Sequence, residues 1–259
     1  MKKSILICLL IFTHFTFSQF DNKSIEDLAF DFINTLSPDL KNRTIFDLET
    51  SERTKFFFVP IERKGTSFKD FDKYQKKAAL KLLRASLSKK GFNKSEKIRQ
   101  LEKVLLKTEI PRLVFNGKEI IRDYLDYHFW LFGVPSKDSL WGWKFEGHHV
   151  SFNFTLKNNK IISSTPSFLG ANPAVVNIEG FKKLQVLKSE MNLGSMLVSS
   201  FNIKQNKIAQ FSKNAPIDII TKNDFKARKI SPLGINYNEL NSLQKKLFLK
   251  LLNEYINNY

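Results

Sequence analysis

Residues 128 to 155 read HFWLFGVPSKDSLWGWKFEGHHVSFNFT, and the reading of this stretch decides the fold. It holds all three tryptophans (Trp130, Trp141, Trp143) and three of the four histidines (His128, His148, His149). Apolar and polar residues alternate from Trp141 to Leu156. His148, Val150, Phe152, Phe154 and Leu156 share one parity, and His149, Ser151, Asn153 and Thr155 the other. Period two over this length predicts one long half-buried strand with a polar row. The aromatic run 124–133 predicts a second strand, ended by Gly133 and Pro135. Asn158-Asn159 predicts a hairpin turn, with 160–164 returning.

The flanks read differently. Ser24 to Asp27 has the form of a capping box before Leu28, Phe32 and Leu36 at helical spacing. Pro38 suits a first helical position. Residues 54–60, TKFFFVP, predict a short buried strand. A helix is expected from Ser67, with Gly91 as its C-cap, and another from Ser95 to the neighbourhood of Pro111. After the loop 163–176, helices are expected from Phe181 to Phe201, over 203–211 and over 238–256. The expected class is therefore α+β, a small mainly antiparallel sheet at about 124–164 packed by flanking helices.

Residues 1–19, MKKSILICLLIFTHFTFSQ, have the pattern of a secretory leader: Lys2 and Lys3, an apolar run, and the small residue Ser18. The expectation is an exported, periplasmic or extracellular protein comprising residues 20–259 as a single α+β domain. Cys8 is the only cysteine, so a chain cleaved near Ser18 has neither disulfide nor thiol chemistry. The formal net charge is +17, carried by 34 Lys and 8 Arg against 25 acidic residues. Lys predominates over the Arg that bidentate phosphate and base contacts favour, and no single basic tract stands out. These features argue against specific nucleic-acid recognition. They leave an anionic polymer or a small molecule as the expected partner class, with no transmembrane span after cleavage.

Imidazole is the usual side chain for proton transfer near neutral pH and for metal ligation, which draws the eye to Glu146, His148 and His149. Glu-x-His on one strand face can orient an imidazole. Two His and a carboxylate can also supply part of a Zn, Cu or Fe site. Adjacent strand residues point apart, however, so one metal needs a kink, for which Gly147 is placed. The spacing is not a zinc-protease motif. A buried histidine bonded to main chain, beside one in a polar row, accounts for it equally well.

The ordered series KFFFVP, YQKKAALKLLRASLSKKGF, LEKVL, FWLFGVPS, WGWKFEGHHVSFNFT and SSTPSFLGANPAVV resembles the family called domain of unknown function 3500. The resemblance spans roughly residues 25–257. It implies a longer family pattern with further C-terminal histidines; no His follows His149, so a short member is expected. Two readings follow. The first is an exported metal-assisted hydrolase or oxidase. His149, Glu146 and Ser151 are its catalytic candidates. Trp141, Trp143, Asn153 and Asn172 would contact substrate, and His148 and His149 would ligate one transition metal. The second is a non-catalytic exported ligand-binding or envelope-associated protein.

Overall fold

The structure, a computed structural model, describes residues 23–259 apart from 116, 225 and 227. The leader expected over 1–19 lies outside the described residues. Ser24 caps helix α1 (Ile25–Thr35): its hydroxyl accepts from Asp27 N–H at 3.1 Å, and the Asp27 carboxylate accepts from Ser24 N–H at 3.3 Å. Ser37 caps α2 (Pro38–Thr44), which runs straight into strand β1 (Ile45–Phe46).

The strand expected over 54–60 is absent. Ser51–Thr54 is a single 3-10 turn, and residues 55–65 are irregular up to β2 (Thr66–Ser67). Main-chain groups here find partners outside any ladder. Phe57 N–H donates to the Glu146 carboxylate, and the Phe58 carbonyl accepts from His149 N–H.

Helix α3 (Lys73–Ala85) starts at Asp72 rather than Ser67, because Asp72 and Gln75 form the capping box. Ser67 instead gives its N–H and hydroxyl to Asp70. The first expected helix ends at Ala85, short of Gly91, and the second, α4 (Lys89–Thr108), begins ahead of Ser95 and takes Gly91 in. Gly91 lies in its first turn, where Ser88 accepts its N–H. A Cβ there would stand 2.0 Å from the Asn258 carbonyl oxygen, so the glycine serves close approach and not a C-cap.

A small hairpin, β3 (Val114–Phe115) with β4 (Lys118–Glu119), leads to the main strands β5 (His128–Phe132), β6 (Trp141–Gly147), β7 (Val150–Lys157), β8 (Lys160–Ser163) and β9 (Ser167–Leu169). Helices α5 (Lys188–Ser199), α6 (Ile203–Ala209) and α7 (Ser242–Ile256) complete the chain. The main sheet has seven strands in the path β1-β5-β6-β7-β8, with β2 also on β5 and β9 also on β7. Only the β1–β5 pairing is parallel. The fold is α+β, with a larger sheet than the sequence indicated.

The single long strand expected from Trp141 to Leu156 is two. Gly147 pairs with Val150, leaving His148 and His149 as the turn, and His149 sits at φ 60°. The register puts Trp141, Trp143 and Phe145 opposite Leu156, Phe154 and Phe152 on one face, and Lys144 and Glu146 opposite Asn153 and Ser151 on the other. Phe129 and Leu131 join the apolar face, which packs on Phe32, Phe68, Phe71, Leu82 and Leu83 from α1, α3 and the chain between them. The rings meet edge-on or tilted, as at Phe68–Phe129 (5.2 Å) and Phe129–Phe145 (4.8 Å). Each such buried side chain contributes roughly 2 to 3 kcal/mol by leaving water, so this face supplies stability without covalent links. No described helix is both long and apolar enough to cross a membrane.

Gly147 decides how tightly the turn closes. A Cβ there would meet the Tyr127 ring at 2.3 Å, and the Tyr127 hydroxyl donates to the His148 carbonyl at 2.7 Å. Gly147→Ala should therefore cost about 1 to 3 kcal/mol in urea unfolding through overpacking; an unchanged midpoint would contradict this account of the turn.

Candidate functional site

The polar face of the sheet is built by β5, β6 and β7. His128 and Trp130 stand beside Glu146 and Lys144, which stand beside Ser151 and Asn153. Residues 52–64 lie over this face. Glu146 holds them there: it accepts from Phe57 N–H at 3.0 Å, Arg63 Nε–H at 3.1 Å and the Ser151 hydroxyl at 3.0 Å. The Arg63 and Glu146 side chains are 3% and 2% exposed. Arg63 also donates to the carbonyls of Val59, Ile61 and Gly147. The Glu146 carboxylate thus organises a loop, with its oxygens already engaged.

Beneath the loop is a cavity of about 380 Å³ lined by Glu52, Lys55, Phe57, Arg63, Trp130, Lys144 and neighbouring loop residues. Lys144 is its unusual feature. Its ammonium donates to the main-chain carbonyls of Glu52 (3.1 Å) and Lys55 (3.2 Å) and lies 4.1 Å from the centre of the Trp130 ring. The residue is 1% exposed. Burial lowers its pKa from the usual lysine value, against the opposing pull of Glu146 and Glu52. The indole N–H of Trp130 is buried without a hydrogen-bond partner among the described residues. Glu52 is taken by Lys55 at 2.5 Å and faces Lys64 at 3.8 Å.

The histidines occupy a separate place at the hairpin tip. His148 Nδ1 lies 2.6 Å from Glu102 of α4, which fits an N–H donated to the carboxylate. Arg122 lies 3.3 Å from the same nitrogen and is clamped by Glu109 at 2.7 and 2.8 Å. The His149 ring lies tilted against His148 with centres 4.1 Å apart, and its Nδ1 is buried without a partner among the described residues. Burial, reinforced by His148 and Arg122, pushes the His149 pKa down to about 4. It is neutral at neutral pH and a weaker base than free imidazole.

The candidate residues therefore divide. Glu146 and Ser151 are brought together, but with their hydrogen bonds spent on each other and on the loop. His148 and His149 are brought together at the tip. Trp141 and Trp143 lie fully inside the apolar core. Asn153 donates to the Pro166 carbonyl at 2.8 Å, tying down the chain before β9. Asn172 is exposed and does not line the cavity. Among the described residues, no group of three or more His, Cys, Asp or Glu side chains is arranged to hold a metal ion, so the donors present do not fit the Zn, Cu or Fe site considered above. Sequence reasoning passed over Lys144 and Trp130, although their parity places them on the face opposite the Trp141 row. Arg63, Glu102 and Arg122 carry no local signal.

His149 gives a pH test. Its folded pKa, about 4, lies below the ordinary 6.5. The unfolded chain then binds the proton more readily, so stability present above pH 6.5 is lost as pH falls towards 4. The loss is at most about 3 kcal/mol, less to the extent that the ring edge is solvated. Asn tolerates a positive φ, so His149→Asn should keep the turn and remove this contribution. The wild-type minus variant stability should shrink between pH 7 and pH 4 in urea titrations; parallel curves would show that His149 titrates normally.

The family model described as "Protein of unknown function (DUF3500)" matches residues 19–259. No curated protein and no solved structure matches the chain. By a match that covers nearly all of its length, the chain belongs to the DUF3500 family.

Proposed function

We propose that the protein is an exported ligand-binding protein, and that its cavity between residues 52–64 and the polar sheet face takes a small organic anion. The supporting observation is Lys144. A buried ammonium without a counter-ion is costly, and the charge is either given up or neutralised by something that binds. Among the described residues, no carboxylate pairs with Lys144, while Glu146 and Glu52 are committed to Arg63 and Lys55. The cavity lining carries Lys55, Arg63, Lys64 and Lys144 against Glu52, Glu62 and Glu146, a surplus of one cation. A carboxylate on a flat apolar body suits this lining. The anion would neutralise Lys144, and Phe57 and Ile61 would cover the body. The leader-like segment at 1–19 supports export.

The test is calorimetric titration with benzoate and short aliphatic carboxylates. Binding is expected because an anion beside Lys144 offsets the burial that disfavours its charged form. Lys144→Met keeps the stem and removes the charge, and should weaken carboxylate binding by about tenfold or more. Absence of binding across the panel, or equal binding by Lys144→Met, would contradict the proposal.

A further inference from the structure

A second cavity, of about 210 Å³, opens on the same polar sheet face. Arg53, Thr54, Asn153, Thr155, Ser163 and Thr165 line it, with strand residues beneath them. The covering segment divides its side chains between the two cavities. Glu52 and Lys55 line the Lys144 cavity, and Arg53 and Thr54 line this one. The sheet register accounts for the opening. Phe132, Gly142, Thr155 and Ser163 are successive partners across four strands, in the row next to Trp130, Lys144 and Asn153. Gly142 brings no side chain to that row. A Cβ there would stand 2.6 Å from the Phe154 carbonyl oxygen, so no larger residue fills the place without moving the ladder. A glycine inside a strand often marks such a point of close approach.

The lining defines the ligand. Arg53 is its only charged residue, so no carboxylate in the wall opposes an anion. The Arg53 Nε–H donates to the Leu48 carbonyl at 2.8 Å, which fixes the guanidinium plane. Among the described residues the two terminal nitrogens have neither an ion pair nor a hydrogen-bond partner, and neither is sealed inside the protein. The Thr155 hydroxyl is likewise unpartnered among the described residues and unsealed, on a half-buried residue. The Ser163 and Thr165 hydroxyls lie 3.3 Å apart in the same wall. An arginine held at Nε and open at its outer edge presents two parallel N–H donors, a fork that takes two oxygens of an oxyanion. Hydroxyls can donate to the oxygens that remain. Donors from the covering segment, from β7 and from the chain after β8 come from several directions, which suits a tetrahedral group better than a flat carboxylate.

We infer that this cavity is a binding site for a tetrahedral oxyanion, a phosphate or sulfate group. Arg53 holds two of its oxygens, and the Thr155 hydroxyl donates to a third. The site stands independently of the one at Lys144. The two linings share no residue, and this one offers hydroxyls where the other offers an apolar cover.

The experiment is calorimetric titration of the purified protein at neutral pH with inorganic phosphate, with sulfate and with acetate, in a buffer free of other oxyanions. Phosphate or sulfate should bind at one saturable site, and acetate more weakly. Arg53→Gln should weaken the tetrahedral ligand by about tenfold or more, the loss expected for charge-assisted hydrogen bonds. An ion that merely follows the net charge of the chain would bind Arg53→Gln as well as wild type. Thr155→Val keeps the branched shape on the strand and should weaken the same ligand severalfold, which keeps the test decisive if Arg53→Gln proves unstable in thermal melts. These titrations are read without reference to benzoate, so this site and the one at Lys144 succeed or fail separately. No saturable binding of phosphate or sulfate, acetate as tight as either, or wild-type affinity in Arg53→Gln or in Thr155→Val would overturn the inference.

Discussion

Glu146 is the interaction on which the rest of the polar half of the molecule depends. A carboxylate in the middle of a sheet, with its side chain 2% exposed, survives only if its lone pairs are filled. They are filled by Arg63, by the Phe57 amide and by Ser151, and two of these three donors come from one irregular segment. The carboxylate thereby draws residues 57–63 over the sheet. That covering buries Trp130 and Lys144 and creates the cavity. Removing one partner of such a pair typically costs about 3 to 5 kcal/mol, because the other charge stays buried.

The two faces of the sheet divide the labour. The apolar face, with Trp141, Trp143 and Phe145, packs on α1 and α3 and provides stability. The polar face carries groups that packing alone does not require: an ammonium without a counter-ion and an indole donor without an acceptor among the described residues. The hairpin tip joins the faces. His149 donates its N–H to Phe58 and accepts from Gly170, so it ties the covering loop to the chain after β9. Its positive φ marks it as a corner piece, and His148 is held by Glu102 behind it.

Much of the fold was legible in the sequence. The capping boxes at Ser24 and the helical spacing of the flanks are local signals and gave helices. Strands β5 to β8 announced themselves by aromatic alternation and the Asn158-Asn159 turn, both residues of which have positive φ. The missed turn at His148-His149 was also encoded. Apolar residues fall on odd numbers through Phe145 and on even numbers from Val150, and that change of phase is the mark of a two-residue turn, across which paired residues have opposite parity. Reading the stretch as one strand put Glu146 beside His148, when the hairpin puts it beside Ser151. The partners Arg63, Glu102 and Arg122 come from segments distant in the chain, and nothing local announces them. The failure of 54–60 to form a strand has the same origin, since its amides bond to a side chain that the sequence window does not contain.

The most direct measurement is amide hydrogen exchange on Glu146→Ala, resolved by residue. If Glu146 holds the loop, the Phe57 amide should lose its protection and residues 55–64 should exchange at near-open rates. Amides of β6 and β7 that are paired across the ladder, such as those of Phe145 and Phe152, should stay protected by the apolar face beneath them. Retained protection at Phe57 would contradict the claim that this carboxylate organises the polar half of the molecule, and so would loss of protection throughout the sheet.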